Sequence, residues 1–287
     1  MVELETTPET IQRIYKRYED TVSDWRRPHL GASVIGHPCD RYKWFTFRWA
    51  AAPSFPGRLL RLFQTGHREE ARVIQDLRDI GIEVYDKMPD SDDDTQIRYE
   101  SWGGHYAGSL DGIGRGFPEA PVTWHVLEMK TMKTSVFQAL SKSCVRDTMP
   151  QHYIQMQQYM AWSGLTRAYY FAVCKETDDI YGERVPEDPD MQSRIAINAE
   201  IVIFRDRPHP VDDRKFGPTT FECRYCQFRP ICWENGCMEH NCRTCMYSRP
   251  DRDGLWVCRK KDAYLSTEHQ KEGCDDHDQI DIRSDIL

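Results

Sequence analysis

Apolar residues recur at helical spacing near the start of the chain. Across residues 7–25, Ile11, Ile14, Tyr15 and Tyr18 fall on one face, and Pro8 stands where a first helical turn tolerates it. After a glycine-rich turn at 30–41 and an aromatic run at 42–49, a second stripe of Leu59, Leu62, Phe63, Val73, Ile74 and Leu77 predicts a helix over 58–80, closed by Gly81. The pattern then becomes extended. A short strand is expected at 82–85, and runs at 97–102 and 106–113, joined by a turn at Gly103-Gly104, predict a hairpin feeding a central strand at 124–131. Helices at 134–143 and 150–163, a strand at 168–174 and a helix at 189–204 follow. Asp90-Ser91-Asp92-Asp93-Asp94 lacks the glycine and closing glutamate of a calcium loop and reads as a solvated loop. The order helix, hairpin, strand, helix, strand predicts an α/β sandwich with a mixed sheet.

Composition narrows the class. The 287 residues suffice for one large domain or two smaller ones, and 29% charged with 11% aromatic residues describes a soluble globular protein. No apolar run reaches membrane-spanning length, and Met1-Val2-Glu3-Leu4-Glu5 is not a signal peptide, so a cytoplasmic protein with no membrane partner is expected. A net charge of -8 excludes a wholly basic surface, but a local basic track can still follow a phosphate backbone. Of 11 cysteines, seven crowd between Cys223 and Cys258 with Cys-x-x-Cys spacings, which favours metal over disulfide in a reducing compartment. Cys144 and Cys174 read as plain core residues.

Chemistry concentrates on the central strand. Val126-Leu127-Glu128-Met129-Lys130-Thr131 carries opposite charges at i and i+2, and strand alternation puts both on one face. Upstream, Gly108-Ser109-Leu110-Asp111-Gly112 sets an acid between glycines, where a bend brings Asp111 beside Glu128. Two carboxylates suit a hard cation such as Mg2+ or Mn2+, and a neighbouring lysine positions or deprotonates water or neutralises transition-state charge. On the helix at 150–163, Gln151, Gln155 and Tyr159 share one face suited to phosphate or base groups.

Asp111 followed by Glu128-x-Lys130 resembles the PD-(D/E)xK nuclease signature. Phe63-Gln64-Thr65-Gly66-His67-Arg68-Glu69-Glu70 resembles the glycine-to-acid helix start of RecB-type and phage recombination exonucleases, and Gln155-x-x-x-Tyr159 has the spacing of that branch. Cys39 with Cys223-x-x-Cys226-x5-Cys232 resembles the split four-cysteine cluster of the branch's iron-sulfur nucleases, among them the AddB subunit of helicase-nucleases. The resemblance runs from about residue 39 to residue 232. It implies a restriction-endonuclease-like α/β core and a Mg2+- or Mn2+-dependent DNA exonuclease acting on linear ends, single- or double-stranded. Asp111 and Glu128 would bind the ion, with the Met129 carbonyl and His67 as further contacts. Lys130 would orient or deprotonate the water, Glu70 would complete the site, and Gln155 and Tyr159 would hold substrate. Cys39, Cys223, Cys226 and Cys232 would hold a [4Fe-4S] cluster. Phage or bacterial recombination, with a single-strand annealing protein as partner, follows from the same resemblance. Rival readings are a CRISPR-associated relative that trims DNA and a DNA-binding scaffold without activity, against which the intact Asp111, Glu128 and Lys130 argue.

Beyond the resemblance, Cys242-x-x-Cys245, Cys258 and Cys274 have the order of a zinc knuckle or ribbon, with His269 and His277 as spare ligands and Cys237 unassigned. So short a unit, poor in apolar residues, needs metal to fold. The expected division is an N-terminal helical segment at 1–55, a nuclease core at 56–236 and a cysteine-rich zinc-binding tail at 237–287.

Overall fold

A computed structural model describes residues 8–21, 26–88 and 95–282; the acidic stretch at 90–94 lies outside the described residues. Helix α1 (Glu9–Asp20) starts after Pro8, which stands outside it, and rests on α4 without burying a residue fully. The glycine-rich turn holds a two-residue strand, β1 (Leu30–Gly31), and one helical turn, α2 (Ala32–Ile35). The aromatic run forms α3 (Asp40–Phe47), and the long stripe forms α4 (Gly57–Asp79). On α4, Leu60 is buried with Val73, Ile74 and Leu77, whereas Leu62 and Phe63 stay exposed.

The strands follow as β2 (Glu83–Tyr85), β3 (Arg98–Ser101), β4 (Tyr106–Ser109), β5 (Gly112–Arg115) and β6 (His125–Met132). The expected single run at 106–113 is two strands, since the chain breaks at Leu110-Asp111 and leaves one sheet for another. After α5 (Thr134–Ser141), α6 (Val145–Thr148) and α7 (Pro150–Ser163) come β7 (Arg167–Cys174), β8 (Ile180–Pro186) and α8 (Pro189–Phe204). Periodicity did not reveal α6 or β8; the first is a single turn, and the second mixes exposed and half-buried positions with one buried residue.

The main sheet is mixed, in order β2-β5-β6-β7-β8, with β6 and β7 parallel and the other pairs antiparallel. Side-chain parity explains the layers. Leu127, Met129, Phe171 and Val173 meet Val73, Ile74 and Leu77 of α4 on one face. Val126, Met132, Ala168 and Tyr170 meet Tyr153, Met156, Tyr159 and Met160 of α7 on the other. Strand β6 is therefore buried on both sides, which accounts for its unbroken apolar run. A smaller sheet, β1-β4-β3, flanks it.

The chain closes with α9 (Phe221–Arg224), α10 (Arg229–Trp233), the antiparallel strands β9 (Ser248–Pro250), β10 (Trp256–Cys258) and β11 (Ala263–Leu265), and α11 (Thr267–Glu272). Met238, Trp256, Ile280 and Ile282 enter the same core as Leu30, Trp44, Phe45 and Phe47. The C-terminal stretch thus packs against the N-terminal helices. No helix among the described residues is long and apolar enough to cross a membrane.

Candidate active site

The break between β4 and β5 builds the site. Strand β5 pairs with β6 as far as Gly112 opposite Leu127, so beyond that point the β6 edge has no strand beside it. Asp111 fills the gap: its Oδ2 accepts the Met129 N–H at 2.7 Å. In a strand the N–H and C=O of one residue point the same way, so the Met129 carbonyl also faces the gap, where Lys130 Nζ donates to it at 3.1 Å. Close packing, not an unusual backbone angle, calls for glycine at 108. A side chain at 108 would stand 2.8 Å from Tyr159 and from the Ala32 methyl, and Leu110 is fully buried while Asp111 turns outward.

Glu128 is 0% exposed, and Lys130 forms an ion pair with it and lies 3.7 Å from Asp111. Neither Glu128 oxygen has a hydrogen bond of ordinary geometry. Burial pushes the Glu128 carboxyl above the usual range, with the Asp111 charge adding to it and Lys130 opposing. Burial also acts on Lys130, but the charges of Glu128 and Asp111 outweigh it and hold the ammonium protonated. The direction of that shift favours a positively charged Lys130 between the two carboxylates. Glu70 reaches the cleft from α4, where Gln96 Nε2 donates to its Oε1 at 3.3 Å. Burial, then Asp111, raises its carboxyl to about 7.

Asp111, Met129, Lys130 and Glu70 line a cleft of about 380 Å3 with Gly66, His67, Glu69, Arg27, Gln96 and Thr131, while the fully buried Glu128 does not border it. His67 stands at its exposed rim. Gln155 and Tyr159 are brought together, but they line an adjoining cleft with Arg27, His29, Ser33 and Arg98. Tyr159 Oη donates to the Ser109 carbonyl at 2.7 Å, and Gln155 Nε2 lies 3.4 Å from Tyr159 Oη. Gln151, expected on the same face, is exposed and lines neither cleft. Arg27 and Gln96 border both clefts and escaped the sequence reading; the basic run Arg26-Arg27-Pro28-His29 before β1 was the available signal. Behind Lys130, Tyr170 pairs with His152, which burial and then Lys130 keep neutral, its basicity lowered to about 3.

The cysteines fall into two groups. Cys39, Cys223, Cys226 and Cys232 line one small apolar cavity of about 30 Å3 under Tyr42, Phe45, Phe216 and Phe228. Cys242, Cys245, Cys258 and Cys274 line another of about 20 Å3, with His277 at its edge. Burial, then the neighbouring thiols, pushes Cys242 up to about 11. The His269 ring pairs with Ser266 while its carbonyl accepts from Cys242 Sγ at 3.2 Å, and Cys237 is exposed. Cys174 is buried against Thr134, whereas Cys144 is half-buried at the start of α6 rather than in the core. Among the described residues, no three His, Cys, Asp or Glu side chains stand ready-made at metal-binding geometry. The expected Mg2+ or Mn2+, iron-sulfur and zinc sets are thus grouped donors, with Lys130 neutralising the acidic one.

No family model matches the chain, and no curated protein matches it. Among solved structures, the chain is similar to an alkaline exonuclease from Laribacter hongkongensis, at 14% identity over 65% of this chain and 90% of that one, with a TM-score of 0.43. It is similar to a phage-related exonuclease from Haemophilus somnus at 14% identity over 60% and 78%, with a TM-score of 0.38. Another solved structure, of a protein whose name states no activity, aligns at 16% identity over 78% and 96%, with a TM-score of 0.46.

Proposed function

We propose that the chain is a Mg2+- or Mn2+-dependent deoxyribonuclease that degrades DNA from its ends. The observation that carries the reading is Glu128, a carboxylate fully buried with neither oxygen in an ordinary hydrogen bond, beside Asp111, the Met129 carbonyl on the open β6 edge and the Lys130 side chain. A buried carboxylate without ordinary hydrogen bonds is costly unless a cation compensates it, and among the described residues one ammonium, Lys130, is shared between Glu128 and Asp111. Asp111, Glu128 and the Met129 carbonyl fit a hard divalent ion, with Glu70 and His67 at reach from α4. The ion supplies Lewis-acid activation of a phosphodiester and of water. Lys130 holds its charge where negative charge grows on the phosphate, and Asp111 keeps the β6 edge open by taking the Met129 N–H. Gln155, whose amide keeps a second N–H, holds substrate in the adjoining cleft, and Tyr159, whose hydroxyl proton goes to the Ser109 carbonyl, sets the Gln155 amide.

Action at ends, and a role in recombination with an annealing partner, rest on the motif order Gly66 to Glu70, Asp111, Glu128-x-Lys130 and Gln155-x-x-x-Tyr159. Four thiols suit either iron or zinc; the motif resemblance supports a [4Fe-4S] cluster on Cys39, Cys223, Cys226 and Cys232, and the knuckle-like order supports zinc on Cys242, Cys245, Cys258 and Cys274. End-labelled linear and closed circular DNA, each with and without Mg2+ or Mn2+, test the main reading. Linear DNA should shorten only when the ion is present while circles persist; no digestion under any ion, or equal loss of circles, overturns it.

A further inference from the structure

Arg243 lies between the first two cysteines of the C-terminal set, yet its side chain belongs to the N-terminal part of the molecule. It is 2% exposed and has no carboxylate partner among its hydrogen bonds. Its guanidinium donates instead to the Pro28 carbonyl at 3.0 Å, the Phe47 carbonyl at 3.0 Å and Gln270 Oε1 at 2.9 Å. The same group lies 3.6 Å from the Trp49 ring centre and 4.6 Å from that of Trp256. Trp49 in turn donates from Nε1 to the Arg27 carbonyl at 2.7 Å. Two consecutive carbonyls, of Arg27 and Pro28, are thus held by one stacked pair. A second route runs from the loop before β10, where the Leu255 carbonyl meets His105 Nε2 at 3.2 Å and the His105 carbonyl accepts the Leu30 N–H at 2.8 Å.

Every element of this clasp that lies beyond residue 240 hangs from a cysteine of the second set. Arg243 sits in the Cys242–Cys245 turn, Trp256 precedes Cys258 by two residues, and Gln270 lies on α11 just before Cys274. We infer that a thiophilic divalent ion on Cys242, Cys245, Cys258 and Cys274 locks this turn, so that Arg243 pins the Arg27 to Gly31 segment, of which Arg27 borders the catalytic cleft and His29 and Gly31 the adjoining one. Arg243 is then a positioning residue that acts through Arg27, which borders both clefts. The cleft's catalytic character rests on the function proposed above; the metal and the clasp do not. A planar five-donor fork is needed to serve three acceptors while stacked between indoles, and lysine offers neither the fork nor the plane.

Three measurements on the full chain test this. Zinc per chain is determined for wild type, Cys258→Ser and Arg243→Lys; amide exchange is followed at residues 29–31 and at β6; KM and kcat are measured on linear DNA. Wild type should hold about one zinc, Cys258→Ser should lose it, and Arg243→Lys should keep it. Zinc-stripped protein and both variants should exchange faster at 29–31 with β6 unchanged, and Arg243→Lys should raise KM about tenfold with kcat changed much less. Metal-free wild-type protein, or unchanged exchange at 29–31 in Arg243→Lys and after stripping, overturns the inference. Should Cys258→Ser fail to fold, Arg243→Lys decides alone. Faster exchange at 29–31 without any nuclease activity would overturn the proposed function and leave the clasp standing.

Discussion

Asp111 does two jobs that are hard to separate by deletion: it caps the Met129 N–H and it offers a carboxylate to an ion. Asp111→Asn keeps a hydrogen-bond acceptor for the cap and removes the charge, so activity should become undetectable at ordinary Mg2+ while the fold persists; full activity in a digestion assay contradicts this. The raised carboxyls of Glu70 and Glu128 give a pH dependence of defined sign. A carboxyl whose folded pKa is raised stabilises the fold below its ordinary range and loses that contribution as pH rises through the folded value, about 7 for Glu70. Metal-free protein should therefore melt at a lower temperature as pH rises from about 5 to 8. Mn2+ should bind more tightly over the same interval, because the ion displaces protons. Calorimetry in buffers of different ionisation enthalpy reads the proton release, and pH-independent binding contradicts the account. The Glu128-x-Lys130 pair and Asp111 were legible because alternation and two flanking glycines are local signals. Arg27 and the Arg243 clasp were not, since nothing in a sequence says which carbonyls a buried arginine will find 215 residues away.

At the scale of elements, α7 and α8 have the bounds expected, each with a proline in its first turn, where the missing N–H costs nothing. The strand at 106–113 was misread because apolar alternation continues across Leu110, although the sheet changes there. That break is what frees the β6 edge. Helix α4 offers a separate test at Gly66, which borders the cleft and has nothing within 4 Å of where a Cβ would stand. Gly66→Ala should stabilise α4 by roughly 0.5–1 kcal/mol, seen as a higher Tm, since alanine gives up less entropy in a helix interior. A lower Tm would mean that the helix is packed differently there.

Across the whole molecule, the two thiol sets join the chain's ends from opposite directions. Cys39 at the start of α3 meets Cys223, Cys226 and Cys232, while the turn at Cys242 to Cys245 hooks Arg243 over Trp49. Protein purified without oxygen should be brown, and Cys39→Ser should lose the colour as fully as Cys226→Ser; iron retained in Cys39→Ser would place the fourth ligand elsewhere. Removing 237–287 takes Met238, Trp256, Ile280 and Ile282 out of the core shared with Trp44 and Phe47, so the shortened chain should lose cooperative melting. A sharp, unchanged transition would make the C-terminal stretch an independent unit. The central claim is that β6 carries the chemistry, and it is tested most directly by cutting and binding of the same labelled linear DNA in one preparation of wild type, Glu128→Ala and Lys130→Ala. The account predicts that all three bind DNA, that Glu128→Ala does not cut, and that Lys130→Ala cuts about a hundredfold slower, the loss of about 3 kcal/mol of charge stabilisation. Wild-type cutting by both variants would contradict it.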